Sequence, residues 1–502
     1  MATTEGFGNE DQILRIASTD EPSSLDPRLS RDVPSITYLF MLYEGLMRLD
    51  TQGRPKPALA EEMSLFPDQK TYTFKLRKSN WSNGDPVTAE DFVRTWKSVL
   101  DPTFPAPNAY QLYVIKGAKD AKEGKIALDE IGVHAPDPQT LVVELETPLI
   151  YFPDLLASYF FLPVHAQSTS ENLIGNGPFL VHAWKKQNEF VAKRNPYYWD
   201  AQEVRLDGVI IQQLDEHTAL RLFENGDLDW AGSPMGTLPQ DAVATLRAQR
   251  LLHIANAAGT HWFRINTEKS PFNNQQMRRA LALALNRKAI VEHVTQGYQR
   301  PAEAIVPPSL GLHLKSYFED ADIPAAFTAF QEALKELHLS IDDIPPITLS
   351  YGSSDRDHKI AQAVQQQWSK ALGLDIQLQS LELQVFREKL KQGDFQIASG
   401  GWYADYHDPI NFLEVFKYKT NATNATRWED PHYTELLNAS SSEADPLKRL
   451  DMLKSAEAIL LEQMPVAPLF FAVFNYVKDD NLLGVYFSDL GYLDFKYAFF
   501  GD

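Results

Sequence analysis

Along residues 71–77 apolar and polar positions alternate: Tyr72, Phe74 and Leu76 share one side of an extended segment, the period of a half-buried β-strand. Thr88 then stands three residues before Asp91, the spacing of a capping box, and Phe92, Trp96 and Val99 follow at helical spacing. A helix therefore opens at Thr88. Leu141, Val143 and Leu145 return to a period of two. Further on, 347–351 reads as a strand, 356–372 as a helix with Ile360, Val364 and Trp368 on its apolar stripe, and 374–378 as a second strand after Gly373. That order is a βαβ unit. The loop 352–357 falls at a strand's carboxyl end, where open α/β sheets bind ligands. Strand and helix signals alternate along the whole chain, which predicts mixed α/β domains rather than a bundle or a sandwich.

With 502 residues the chain exceeds one ordinary core, and two or three domains are expected. Hydrophobic residues make up 44% and charged residues 23%. No stretch approaches the roughly 18 apolar residues of a membrane span. The 47 basic and 67 acidic residues give a net charge of -20, and no basic stripe with interleaved aromatics offsets it, so nucleic acid is not an expected partner. The chain has no cysteine, which removes disulfides, thiolate metal sites and cysteine nucleophiles together.

The densest chemistry lies in Gly400-Gly401-Trp402-Tyr403-Ala404-Asp405-Tyr406-His407-Asp408-Pro409. Glycines let another backbone approach, Trp402 offers a flat apolar face, and the Asp405 carboxylate can accept several hydrogen bonds from an ammonium group. The same residues also suit a turn before Asp408-Pro409 and a core tryptophan. The segment resembles the Gly-Trp-x-Ala-Asp-Tyr signature of the oligopeptide-binding proteins, extracytoplasmic solute-binding receptors of peptide ABC importers. Further blocks follow in the family's order: Ser24-Leu25-Asp26-Pro27, Tyr43-Glu44-Gly45-Leu46, 57–61, the block 81–92 that begins Trp81-Ser82-Asn83-Gly84-Asp85-Pro86, Asn176-Gly177-Pro178-Phe179, 194–199 and Pro271-Phe272-Asn273.

The resemblance implies a two-lobed α/β fold of the periplasmic-binding-protein (Venus flytrap) type, with an extra domain on the first lobe. Residues 12–46, 165–258 and 474–502 would form the first lobe, 47–164 the extra domain and 259–473 the second lobe, with crossovers near Ala258 and Phe474. It further implies a monomeric, non-enzymatic receptor that holds short peptides in an interlobe cleft and delivers them to an inner-membrane ABC permease, without a cofactor. The location implied is the periplasm or the outer face of the cytoplasmic membrane. Residues 1–11 lack the basic start and apolar run of a secretion signal, and the resemblance implies that a signal peptide was removed upstream.

In the family the aspartate at position 405 anchors the peptide's amino terminus, and the backbones of Gly401 and Tyr403 pair with the ligand as an added strand. Trp402 would pack on a ligand side chain. Where many members carry an arginine before Gly-Trp, this chain has Ser399. Where they carry a histidine at the helix start, it has Asp357, with His358 one place later. Recognition of the ligand's carboxyl end is therefore altered. Arg31 stands where an acidic residue faces that arginine in relatives, and we expect it either to supply the missing cation or to be a solvated arginine beside Asp32. Asn108 and Trp262 fall in regions that line the family's cleft or fill its core.

Two other readings stay open. Asp405 and Asp408 have the composition of a glycosidase carboxylate pair, yet the chain has no Gly-x-Ser-x-Gly elbow, no His-Glu-x-x-His and no phosphate-binding loop. Within the superfamily, the altered carboxyl end fits a modified or murein-derived peptide, or a metal chelate held near His358 and His407.

Overall fold

The computed structural model describes residues 12–30, 32–312, 316–421 and 423–501. It divides into two compact units, one running to Ile254 and resuming at Phe474, the other Ala255–Val473. Both boundaries fall inside long strands, His253–Ile265 and Val466–Lys478.

In the first unit a sheet runs in the order Phe179–Lys185, Glu189–Arg194, Gly208–Gln213, Ile13–Ser18, Trp230–Gly232, and the end of Val466–Lys478. Ile13–Ser18 pairs in parallel with Gly208–Gln213, and Trp230 pairs antiparallel with Lys478. A separate four-stranded antiparallel sheet takes the order Ala60–Leu65, Thr71–Leu76, Thr140–Glu144, Val133–Asp137. The predicted alternation holds, since Tyr72, Phe74, Leu141 and Val143 are buried. The helix Ala89–Leu100 packs on this sheet. Asp91 Oδ2 accepts the backbone N–H of Thr88 at 2.9 Å, as the capping spacing requires, and Phe92 and Trp96 are wholly buried. Each such aromatic side chain contributes roughly 1.5–3 kcal/mol by leaving water.

The family-like blocks of this unit meet one another. Asn176 grips residue 44 through both ends of its amide, accepting Glu44 N–H at 2.9 Å and donating to Glu44 O at 3.0 Å. Gly177 is required there because a Cβ would lie 2.5 Å from Tyr43 N. Asn195 Nδ2 donates to Gly177 O at 2.9 Å, and Tyr198 OH donates to the Glu44 carboxylate at 2.9 Å. Arg48 completes the knot, donating to Glu44 at 2.5 Å and to both oxygens of Asp494 at 2.6 and 2.8 Å. Three separated sequence motifs thus form one buried polar junction.

In the second unit the strand order is Ile376–Leu381, Ile347–Gly352, Ile397–Tyr403, His253–Ile265, then the start of Val466–Lys478. The predicted βαβ unit is present: Ile347–Gly352 and Ile376–Leu381 are parallel, joined by the helix Asp355–Leu372. Ser354 caps that helix by accepting Asp357 N–H at 3.1 Å, and Gly373 ends it at φ 72°. The second strand begins at Ile376, two residues later than its pattern predicts, because Leu374 is still tied to the helix end through Ser369 Oγ at 2.8 Å. The chain then passes to the other side of the first strand to form Ile397–Tyr403, so the strand order reverses between Ile347–Gly352 and Ile397–Tyr403. Crevices at the carboxyl ends of such strands are where α/β sheets bind ligands.

Candidate functional site

Ile397–Tyr403 is paired along its whole length on one edge and only at its start on the other. Against His253–Ile265 the register runs from Ile265↔Ile397 to Gly259↔Tyr403. Against Ile347–Gly352 it covers only Leu349↔Ile397 and Ser350↔Ala398. Residues 399–403 therefore leave that ladder at the switch point. This strand end belongs to the Gly400–Pro409 segment that the sequence singled out.

Side chains around the strand are placed by close approach. A Cβ on Gly401 would lie 2.8 Å from Thr260 O, and a methyl on Gly400 would collide with the Arg264 guanidinium. Arg264 Nη1 donates to Ser399 O at 2.8 Å, with Nη2 3.5 Å from Gly401 O. Burial pulls this guanidinium down to about 10. Tyr403 is exposed and lies over Gly259, where a Cβ would be 2.5 Å from its ring. Its hydroxyl is 3.3 Å from His261 Nε2, and His261 stacks on Phe470 at 4.7 Å. Burial, with Arg356 and Arg264 nearby, pushes His261 down to about 3, so its ring is neutral at physiological pH.

The loop that carries Asp405 is fixed by three anchors. Asn411 Oδ1 accepts both Trp402 Nε1 at 2.8 Å and Asp405 N–H at 3.2 Å. Ala404 N–H donates to Ala258 O at 2.8 Å. Asp408 accepts Ile410 N–H at 2.9 Å and a bidentate pair from Arg449 at 2.8 and 2.9 Å. Ala404, Tyr406 and Asp408 turn inward, while Asp405 and His407 are partly exposed between them. Asp408 is thus a buried ion-pair partner of Arg449.

The other candidates are dispersed. Ser399 lies on the strand and is partly exposed; its carbonyl, not its hydroxyl, meets Arg264. Asp357 sits in the first turn of its helix with its carboxylate beside Gly352. His358 Nδ1 is 2.6 Å from Tyr351 OH. Trp262, opposite Gly400, is 2% exposed and packs against Phe412 and Phe416. Asn108, in the first unit, donates to Ser30 O at 2.9 Å and Tyr159 OH at 3.1 Å. Arg31 lies outside the described residues. Sequence reasoning missed Asn411 and Arg264. The first had a signal in its short distance from Asp405; the second, 135 positions from its carbonyl partner, had none.

A half-open strand at a switch point, two glycines and a partly exposed aspartate on a braced loop make this the candidate solute-binding site of the α/β scaffold. The sequence profile of the bacterial extracellular solute-binding proteins, family 5 middle, matches residues 54–424. The chain is 41% identical over 517 aligned residues to the oligopeptide-binding protein OppA of Bacillus subtilis, covering 99% of this chain and 95% of that protein. Among solved structures, the Escherichia coli murein tripeptide binding protein MppA matches with a TM-score of 0.80 at 28% identity, over 98% of this chain and 99% of that one. The Haemophilus influenzae OppA complex with RPPGFSPFR gives 0.79 at 27% identity, over 98% and 99%. The chain belongs to the family 5 bacterial extracellular solute-binding proteins. The expected two-lobed periplasmic-binding-protein-like α/β fold is the fold it shares with these structures. No helix among the described residues is long and apolar enough to cross a membrane.

Proposed function

We propose that this protein is an extracytoplasmic receptor for short peptides that delivers them to an inner-membrane ABC permease, working as a monomer without catalysis. The carrying observation is the edge 399–403, which leaves its ladder with Ile347–Gly352 after Ala398 and leads into the braced Asp405. A peptide adding to that edge gains main-chain hydrogen bonds that read no sequence. Asp405, partly exposed, meets the ligand's free amino group, and the partly exposed Trp402 lies against a ligand side chain. The relatives, an oligopeptide-binding protein and a murein tripeptide binding protein, support the same ligand class. The protein works in the periplasm or anchored to the outer face of the membrane.

A murein-derived or otherwise modified peptide is the second reading. It is favoured by Ser399, which offers no cation for an ordinary peptide carboxylate, and by the structural match to the murein tripeptide receptor. Native mass spectrometry of ligand-stripped protein against two- to five-residue peptides, half of them N-acetylated, tests the proposal. Selective retention of free-amine peptides is the expected result; equal retention of acetylated ones, or retention of none, contradicts it.

A further inference from the structure

Directly opposed residues on antiparallel strands point to the same face, so Trp262 and Gly400 share a face, and Arg264 and Ala398 share it with them. On that face the Arg264 guanidinium reaches along the sheet and overlies Gly400, opposite Trp262. Two hydrogen-bonding groups there are incompletely used. Arg264 has five N–H donors, and its partners are two strand carbonyls, one of them at 3.5 Å; among the described residues no carboxylate lies within ion-pair distance. The indole Nε1 of Trp262, almost fully buried, has no acceptor among the described residues.

Two buried arginines of this unit show what a purely architectural guanidinium looks like here. Arg287 is wholly buried and binds Asp320 at 3.1 Å together with the carbonyls of Pro468 and Ala282. Arg278 has no carboxylate, but three of its nitrogens donate at 2.8–3.0 Å, two of them to Gln463 O. Gln463 is the last residue of the helix Pro446–Gln463, whose carbonyl end carries partial negative charge. Arg264 has neither compensation: its two carbonyls belong to a strand, and no helix ends on it. A partly buried cation and a buried indole N–H on one face of the sheet, both short of acceptors among the described residues, match one kind of group, a carboxylate, which accepts through both oxygens.

We infer that Arg264 and Trp262 form a subsite for a ligand carboxylate on the Gly400 face of the strand, so that this receptor selects peptides carrying a carboxylate at that point. Gly400 is part of the device, because any side chain there would displace the guanidinium. The inference rests on the reading of the 399–403 edge as the peptide's place. It assigns the ligand's carboxylate to the second unit's own sheet, independently of Arg31. The carboxylate comes either from an acidic side chain or from the peptide's carboxyl terminus, and both sources use the same chemistry.

The test is calorimetric titration of the full, ligand-stripped chain with Ala-Glu-Ala, Ala-Gln-Ala and the carboxamide form of each. We expect one neutralisation to weaken binding about tenfold or more, the scale of a lost hydrogen bond to a charged group. Loss on Glu to Gln identifies the side chain as the source; loss on acid to amide identifies the terminus. In Arg264→Gln that preference vanishes. In Trp262→Phe, which keeps an aromatic ring and removes only the N–H, it shrinks, and this variant decides the matter if Arg264→Gln does not fold. A wild-type protein indifferent to both neutralisations, or a folded Arg264→Gln with the full preference, overturns the inference. N-acetylated Ala-Glu-Ala is titrated in parallel: if it binds as well as the free amine, the Asp405 reading fails, and the carboxylate result still stands or falls on its own.

Discussion

Arg48 in the first unit is buried and Arg264 in the second partly buried, and they are held in opposite ways. Arg48 is matched by Glu44 and Asp494 and donates to Phe40 O as well. Burial alone would lower it, but the two carboxylates override burial and hold it well above its ordinary value. Arg264 meets only strand carbonyls, and burial pulls it down. The first is a closed junction that ties three motifs together. The second keeps donor capacity in reserve beside a half-open strand. On the reading proposed above, the charge neutralised within the chain serves folding, and the charge left short of acceptors serves the ligand.

The contrast breaks most sharply by mutation at Arg48. Arg48→Ala leaves Glu44 and Asp494 buried without their cation and is expected to cost roughly 3–5 kcal/mol of stability, measured by denaturant unfolding. An effect below about 1 kcal/mol would mean that the junction is not the closed unit described. Gly400→Ala is next: the added methyl must displace the Arg264 guanidinium, at about 1–3 kcal/mol, with loss of carboxylate selectivity in the same protein. Arg264→Met removes an unneutralised cation and is expected to stay within about 1 kcal/mol of wild type by the same unfolding measurement, unlike Arg48→Ala.

The smallest effect is a pH slope. Burial raises Asp229 to about 6, against the opposing backbone hydrogen bond and charge of Arg15. Below about pH 4 this carboxyl is protonated in both the folded and unfolded chain, and above about 6 it is ionised in both. Between those values the folded protein holds a proton that the unfolded chain has lost, so raising the pH favours unfolding. Asp229→Asn is therefore expected to flatten the stability profile between about pH 4 and 6. An unchanged slope in the variant would place the titrating group elsewhere.

Much of the scaffold was legible because its signals are local. The alternation at Tyr72, Phe74 and Leu76, the Thr88–Asp91 cap and the periodic stripe of Ile360, Val364 and Trp368 each depend on neighbours within a turn or a strand. The order of motifs located the candidate segment, and the structure places it on the strand edge and its following loop. The long strands His253–Ile265 and Val466–Lys478 were not predicted, since their burial changes along their length and no single period describes them. Arg264 was invisible for a different reason. Its meaning depends on register, which brings residue 264 beside residues 398 to 401 and makes Gly400 the space it occupies. The expectation for Arg31 lies outside the described residues; the cation that meets the Ser399 backbone is Arg264, from the adjacent strand. Asp408 reads from sequence as chemistry and in the structure is a bolt, because Arg449 lies 41 residues away.

The central claim is that Asp405 receives the free amino end of a peptide. It is tested most directly by titrating wild type and Asp405→Asn with one tripeptide in free-amine and N-acetylated forms. The account predicts that wild type binds the free amine and loses roughly 2–5 kcal/mol on acetylation, and that Asp405→Asn loses a similar amount for the free amine and no longer distinguishes the two. Equal binding of both forms by wild type, or an Asp405→Asn protein that still prefers the free amine, would contradict it.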